Sequence, residues 1–207
     1  MATHRPLHIV FTCAAALLAT LACAPAARAG LSFEEGIARD TGGDALLYVE
    51  QHLVRREGGR PLERLVIYRC ADGTPFARKQ VDYRESVLAP AFSLEDARMG
   101  YREGLRRTRG PGEVFVREEA GEAERAAALD PSTIVADAGF DEFVRKHWDA
   151  LMAGEAVPLQ FAVPSRLESM DFRIRRVGDA VVAGEPATVF RLGLGGWRGW
   201  IAPRIDV

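Results

Sequence analysis

From Ala45 onward the chain alternates between apolar and polar positions. Leu47, Val49 and Leu53 fall on one side of an extended segment and Tyr48, Glu50 and His52 on the other, until Glu57-Gly58-Gly59 interrupts the run. A period of two over this length predicts a β-strand. A second strand is expected from Leu62 to Cys70, closed by the turn signal Asp72-Gly73, and a third from Phe76 to Tyr83. The connections are too short for a crossover helix, so these neighbours must run antiparallel. Ser86 to Asp96 contains Pro90 and no clear period, and reads as a loop across one end of the sheet. Met99 to Thr108 and Glu113 to Glu119 then flank Arg109-Gly110-Pro111-Gly112, a composition suited to a turn. Gly100 and Gly104, inside the first of this pair, mark a bend or a place where another element comes close; a covering helix is the expected neighbour.

The periodicity changes after Asp137. Phe140, Phe143, Val144, Trp148, Leu151 and Met152 recur at three- and four-residue spacing. They predict one amphipathic helix from Ala138 to Met152, about 22 Å long, with Asp137 as N-cap and Gly154 as its stop. The alanine-rich piece from Gly121 to Leu129 carries glutamates and precedes Pro131, and is expected to be an exposed connector. Strands resume at Leu159 to Val163, Phe172 to Val177 and Thr188 to Leu194. The expected class is α+β: an antiparallel meander forming a bent sheet or half-barrel, with one amphipathic helix on its concave face. Arg204-Ile205-Asp206-Val207 begins a further alternation, so a sheet lacking one or two closing strands is expected.

Residues 1–29 follow another logic. Arg5 and His8 precede an apolar run from Ile9 to Ala24, and Ala27-Arg28-Ala29 places small residues where a signal peptidase reads. The expectation is a cleaved secretory leader and a single periplasmic domain spanning 30–207. Thr20-Leu21-Ala22-Cys23 offers an alternative, lipid anchoring at Cys23, although Thr20 stands where an aliphatic residue is usual. The apolar run is shorter than the ~20 residues of a spanning helix. Without the leader the formal charge moves from −2 to −4, which argues against a general nucleic-acid binder. Of Cys13, Cys23 and Cys70 only the last would remain, which leaves no intramolecular disulfide and makes Cys70 a small apolar residue at a strand end. Lys79 and Lys146 are the only lysines.

Candidate chemistry is sparse. His52 and Glu50 share a strand face, the one pairing that admits a hydrolase reading, but the sequence places no serine or cysteine nucleophile beside them. His147 lies within the helical stripe and reads as a packed histidine. Asp137, Asp141 and Glu142 open the helix, where carboxylates offset the dipole without any metal. Gly193-Leu194-Gly195-Gly196 lacks the lysine and following helix of a phosphate loop. Arg98, Arg102, Arg106, Arg107 and Arg109 suit lipid phosphates, yet Glu113, Glu118, Glu119, Glu122 and Glu124 stand ready to neutralise them across the hairpin. Trp197 and Trp200, beside Ile201, suit either a membrane interface or the open end of a core.

An export leader, an antiparallel meander, a helix carrying Phe140, Phe143, Val144 and Trp148, and further strands form an order that resembles the bent-sheet periplasmic lipoprotein carriers LolA and LolB, and uncharacterised exported bacterial proteins of that architecture. The resemblance is one of architecture and covers most of the mature chain. It implies a hydrophobic cavity between sheet and helix that holds acyl chains, and transfers no individual ligand residue. The expected function is therefore a non-enzymatic envelope protein binding a lipid or other apolar ligand, without cofactor or metal. Phe140, Val144, Trp148 and Phe161 are the candidate lining residues, and Trp197 and Trp200 a peripheral membrane contact. The alternatives are a structural or protein-interaction module, and a hydrolase using Glu50 and His52.

Overall fold

Eight strands follow one another from Ala29 to Leu129, each hydrogen-bonded to the one before it. They are β1 (Ala29–Arg39), β2 (Leu46–Glu57), β3 (Arg60–Cys70), β4 (Pro75–Asp82), β5 (Ala91–Asp96), β6 (Tyr101–Arg106), β7 (Gly112–Arg117) and β8 (Arg125–Leu129). This architecture comes from a computed structural model describing residues 29–40, 45–108, 111–182, 184–195 and 205–206. All pairings are antiparallel and the sheet does not close, since β1 and β8 remain its two edges. The β2–β3 hairpin turns on Gly58 and Gly59, with φ of +56° and +83°, a pair of left-handed residues that suits a two-residue hairpin loop.

A second antiparallel sheet has the order β12-β11-β10-β9, from β9 (Val157–Val163), β10 (Glu168–Val182), β11 (Glu185–Leu194) and β12 (Ile205–Asp206). Between the sheets in the chain lie a 3₁₀ turn (Asp137–Gly139) and the short helices α1 (Phe140–Lys146) and α2 (Trp148–Met152). The α+β class stands, with an unclosed antiparallel meander and a short helical segment. The single 15-residue helix does not form as one piece. It breaks at His147, whose φ of −107° and ψ of 16° leave the helical region. Asp137 makes no cap hydrogen bond, because its carboxylate is taken by Lys79. Gly154, at φ +85°, stands just past the end of α2 as expected.

Three further segments differ from expectation. Ala91–Asp96, read as part of a loop, is β5; Phe92 supplies its buried position and β4 its full-length partner. Arg125–Leu129 is β8 rather than a connector, held by β7 in spite of alanine's weak preference for strands. Ala29–Arg39 forms β1, where the adjacent Glu34 and Glu35 and the glycines Gly30 and Gly36 obscure any alternation.

Because side chains alternate across a strand, the larger sheet has two distinct faces. On one, Val54, Val66, Val81, Phe92, Leu105, Val114 and Val116 are buried. This covered face meets Ile134, Ala136, Ala138, Ala162 and Leu167 from the later part of the chain. Tyr83 donates a hydrogen bond to the Ala138 carbonyl at 3.0 Å and helps to seat the helical segment there. Phe143 and Leu151, the buried members of the helical stripe, pack with Val157, Leu159, Ile174 and Phe190 of the second sheet. The parallel bridge Val135–Phe161 joins the connecting segment to β9. Among the described residues nothing comparable covers the opposite face near β1 and β2, where Leu31 is 68% and Leu53 40% exposed, whereas Phe115 on β7 is buried.

Candidate ligand-binding trough

The open face carries a trough of about 560 Å³ that crosses the strands. Its lining begins with Leu31 on β1, Leu53 on β2 and Leu65 on β3, passes Gln80 and Ser93, and reaches Phe115 on β7. Register places these residues on one face: Leu53 opposes Leu65, Leu65 opposes Gln80, Gln80 opposes Ser93, Ser93 opposes Gly104 and Gly104 opposes Phe115. Gly104 is required here. A Cβ at that position would stand 2.0 Å from the Phe92 carbonyl oxygen and 2.7 Å from the Phe115 ring. The close approach expected at this glycine is real, but the visitor is the aromatic ring of the adjacent strand and not a helix.

Arginines surround the apolar floor. Arg102 and Arg106 hold their guanidinium groups 5.3 and 4.7 Å from the Phe115 ring centre, within cation–π range. Arg106 also pairs with Glu113 directly across the hairpin, and with Glu124 at 2.6 Å; Arg102 lies 3.4 Å from Glu95 and 3.6 Å from Glu124. Of the glutamates that follow the arginine series, Glu113 and Glu124 pair with Arg102 and Arg106, whereas Arg98 pairs with Asp96 and Arg107 with Glu85; Arg109 lies outside the described residues. Arg55 pairs with Glu63 at 3.0 Å. Arg64 and Arg107 border the trough but belong to the covered face: Arg64 opposes Val54 and Val81, lies over the Tyr83 ring and stands 3.7 Å from Asp141, and Arg107 donates to the Ala89 carbonyl and lies 3.5 Å from Glu85. The trough therefore offers the aliphatic surface of Leu31 and Leu53 beside the partly exposed guanidinium groups of Arg55 and Arg102, a combination suited to a molecule with an apolar body and an anionic group.

Glu50 and His52 lie on the covered face. His52 Nε2 donates to the Glu50 carboxylate at 3.0 Å, and this hydrogen bond holds the Glu50 carboxyl below its ordinary value. The hydroxyl that shares the face on β1, Ser32 Oγ, is buried without a hydrogen-bond partner, and Cys70 lies four residues beyond His52's partner Val66 on β3. The side chains that interact with Glu50 are those of His52, Lys79 and Tyr48. Lys79 forms an ion pair with Asp137; burial alone would depress the amine, but Asp137 and the Tyr68 hydroxyl outweigh it and raise its pKa. Burial pushes the Glu103 carboxyl up, against the hydrogen bond donated by Tyr101 at 2.8 Å.

Phe140, Val144 and Phe161 are half-buried at the margin of the second core, with Phe140 edge-on to Phe161 at 6.2 Å and Phe161 edge-on to Phe172 at 6.0 Å. Trp148 is 44% exposed and packs against Phe190 at 5.8 Å. None of these four residues lines the trough or the three other cavities described among the placed residues. One of those, of about 490 Å³, adjoins them and is bordered by Phe143, His147, Leu159 and Phe172. Asp141 lies 3.7 Å from Arg64 and Glu142 2.5 Å from Arg145, and no group of ligating side chains suited to a metal occurs among the described residues. Trp197, Trp200, Cys23 and the leader lie outside the described residues. Comparison with protein-family models, curated proteins and solved structures returns no match to this chain.

The trough residues missed by sequence reasoning belong to the face bearing Leu47, Val49 and Leu53. One signal pointed to them: Val54, Val66 and Val81 run in phase with Glu50, His52 and Lys79, so the polar-looking face of β2 is the one that carries the packed core.

Proposed function

We propose that this protein is a non-enzymatic component of the cell envelope that holds a lipid or similar amphiphile in the trough of its open sheet face. The apolar part of the ligand lies along Leu31, Leu53 and Leu65, and an anionic group meets Arg55 or Arg102, partly exposed guanidinium groups of the same face. The reading rests on one observation: a cavity of about 560 Å³, within the range of small-molecule sites, where Leu31 and Leu53 stand exposed among the described residues while the opposite face of the same sheet is packed. A ligand there removes large aliphatic side chains from water, a gain of about 25 cal/mol for each Å² covered. This differs from the expected location between sheet and helix, and keeps the expected ligand class.

The test is binding of a fluorescent fatty acid, competed by phospholipid, to wild-type protein and to Leu65→Lys and Leu53→Lys. Both positions border the trough, and Leu53 is exposed enough to accept lysine without unfolding. Wild-type binding with at least tenfold weakening in the variants is expected. Absence of binding, or binding that both variants retain, would overturn the reading. A second reading, a protein-docking module, is favoured by β1: an 11-residue edge strand with Leu31, Phe33 and Ile37 exposed. In that case the β1 variant Phe33→Lys abolishes partner capture while fatty-acid binding stays absent.

A further inference from the structure

Three of the chain's four tyrosines gather in one place. Tyr48, Tyr68 and Tyr101, with Phe76 and Leu94, line a cavity of about 480 Å³ that no part of the trough reaches. Tyr48, Tyr68 and Phe76 form a mutual cluster with ring centres 6.1 to 6.2 Å apart. The alternation that brings them together is simple: Tyr48 and Tyr68 share the covered face with Val54 and Val66, beyond the area that the helical segment fills. The hydroxyls are tethered in the direction of charge, Tyr101 to Glu103 and Tyr68 to Lys79. The aromatic rings border the cavity.

Two features select what enters. The first is charge. Asp96 and Arg98 are the charged side chains that border the cavity and they pair with each other, so a ligand that displaces Arg98 meets the Asp96 carboxylate. The second is an occupant already present. Arg98 rests its guanidinium carbon 3.9 Å from the centre of the Phe76 ring while its Nε donates to both Asp96 oxygens at 3.0 and 3.2 Å. The protein thereby displays, with its own side chain, a weakly hydrated cation on an aromatic face beside a carboxylate. That side chain is exposed and tethered only at the cavity's edge. We infer that the Tyr48–Tyr68–Phe76–Tyr101 cup is a second binding site, for a small organic cation such as a quaternary ammonium group, with Arg98 as the intramolecular stand-in that the ligand displaces.

Calorimetric titration and saturation-transfer NMR with tetramethylammonium and choline test this, with 3,3-dimethylbutanol as the uncharged isostere and phosphatidylcholine vesicles to separate a free cation from a lipid headgroup. Both ammonium ions are expected to bind at least tenfold more tightly than the alcohol. Arg98→Ala should tighten binding and Asp96→Asn should weaken it, each by threefold or more, opposite directions that a purely structural role would not produce. Tyr48→Phe should retain binding and Tyr48→Leu lose it; if the leucine variant does not fold, the Arg98 and Asp96 pair decides. Vesicle binding without free-ion binding would reassign the site to a headgroup held at a surface and overturn the small-ligand proposal. Equal binding of the alcohol, or no binding of any ammonium, would overturn the cation site altogether.

Discussion

Lys79 on β4 and Asp137, 58 residues later at the head of the helical segment, form an ion pair that fastens that segment to the covered face of the meander. The two partners are unequally placed, for the Lys79 side chain is 14% exposed and that of Asp137 49%. Removing the carboxylate strands a largely buried ammonium, whereas removing the amine leaves a carboxylate that water can reach. Asp137→Ala is therefore expected to cost about 2 kcal/mol and Lys79→Met less than about 1 kcal/mol. Denaturant unfolding of both variants measures the difference, and equal losses would show that the pair acts by some other route.

Gly104 admits no side chain without displacing backbone. Its nearest obstacle is the Phe92 carbonyl oxygen, followed by the ring that forms one end of the trough. Gly104→Ala should destabilise by about 3 kcal/mol through overpacking. It should also disturb Phe115 and so weaken any ligand in the trough more than Gly178→Ala, where a Cβ meets open space. Thermal melts and the fatty-acid titration read the two effects separately.

The Glu50–His52 hydrogen bond predicts a pH dependence of definite sign. The folded-state value of Glu50 lies below its ordinary value of about 4.5 because His52 hydrogen-bonds to the carboxylate. Its contribution is fully present above the unfolded value and disappears as pH falls through the lowered folded one. Glu50→Gln should thus lose stability near neutral pH, by about 1.5 kcal/mol, and approach the wild type toward pH 3. A gap that persists unchanged in acid would exclude this carboxylate as the cause.

The helical stripe divides by depth. Leu151 is fully buried in the second core and Trp148 lies at its edge. Leu151→Ala is expected to cost about 3 kcal/mol and Trp148→Ala about 1 kcal/mol, measured by equilibrium unfolding.

That division shows what could be read from residues alone. Spacing identified the helical segment, its apolar stripe and its stop at Gly154, because those features depend on neighbours in the chain. Its break at His147 did not show, since the stripe continues through both pieces. The strands around Asp72-Gly73 and across the arginine-rich hairpin were legible for the same local reason. β5 and β8 were not, because Phe92 and the alanines of β8 become strand residues only through the partners beside them. The trough was hidden more deeply. Leu47, Val49 and Leu53 resemble a core face, and only the matching phase of Val54, Val66 and Val81 in three successive strands reveals that burial lies on the other side.

The uninterrupted pairing of the first eight strands also bears on how the molecule assembles. Every ladder in that sheet joins chain neighbours, so each step closes a short loop and little entropy is lost before its hydrogen bonds are gained. Growth is expected to proceed as a zipper of successive hairpins. The slower event is then the docking of the later segment, when Asp137 finds Lys79 and Val135 finds Phe161.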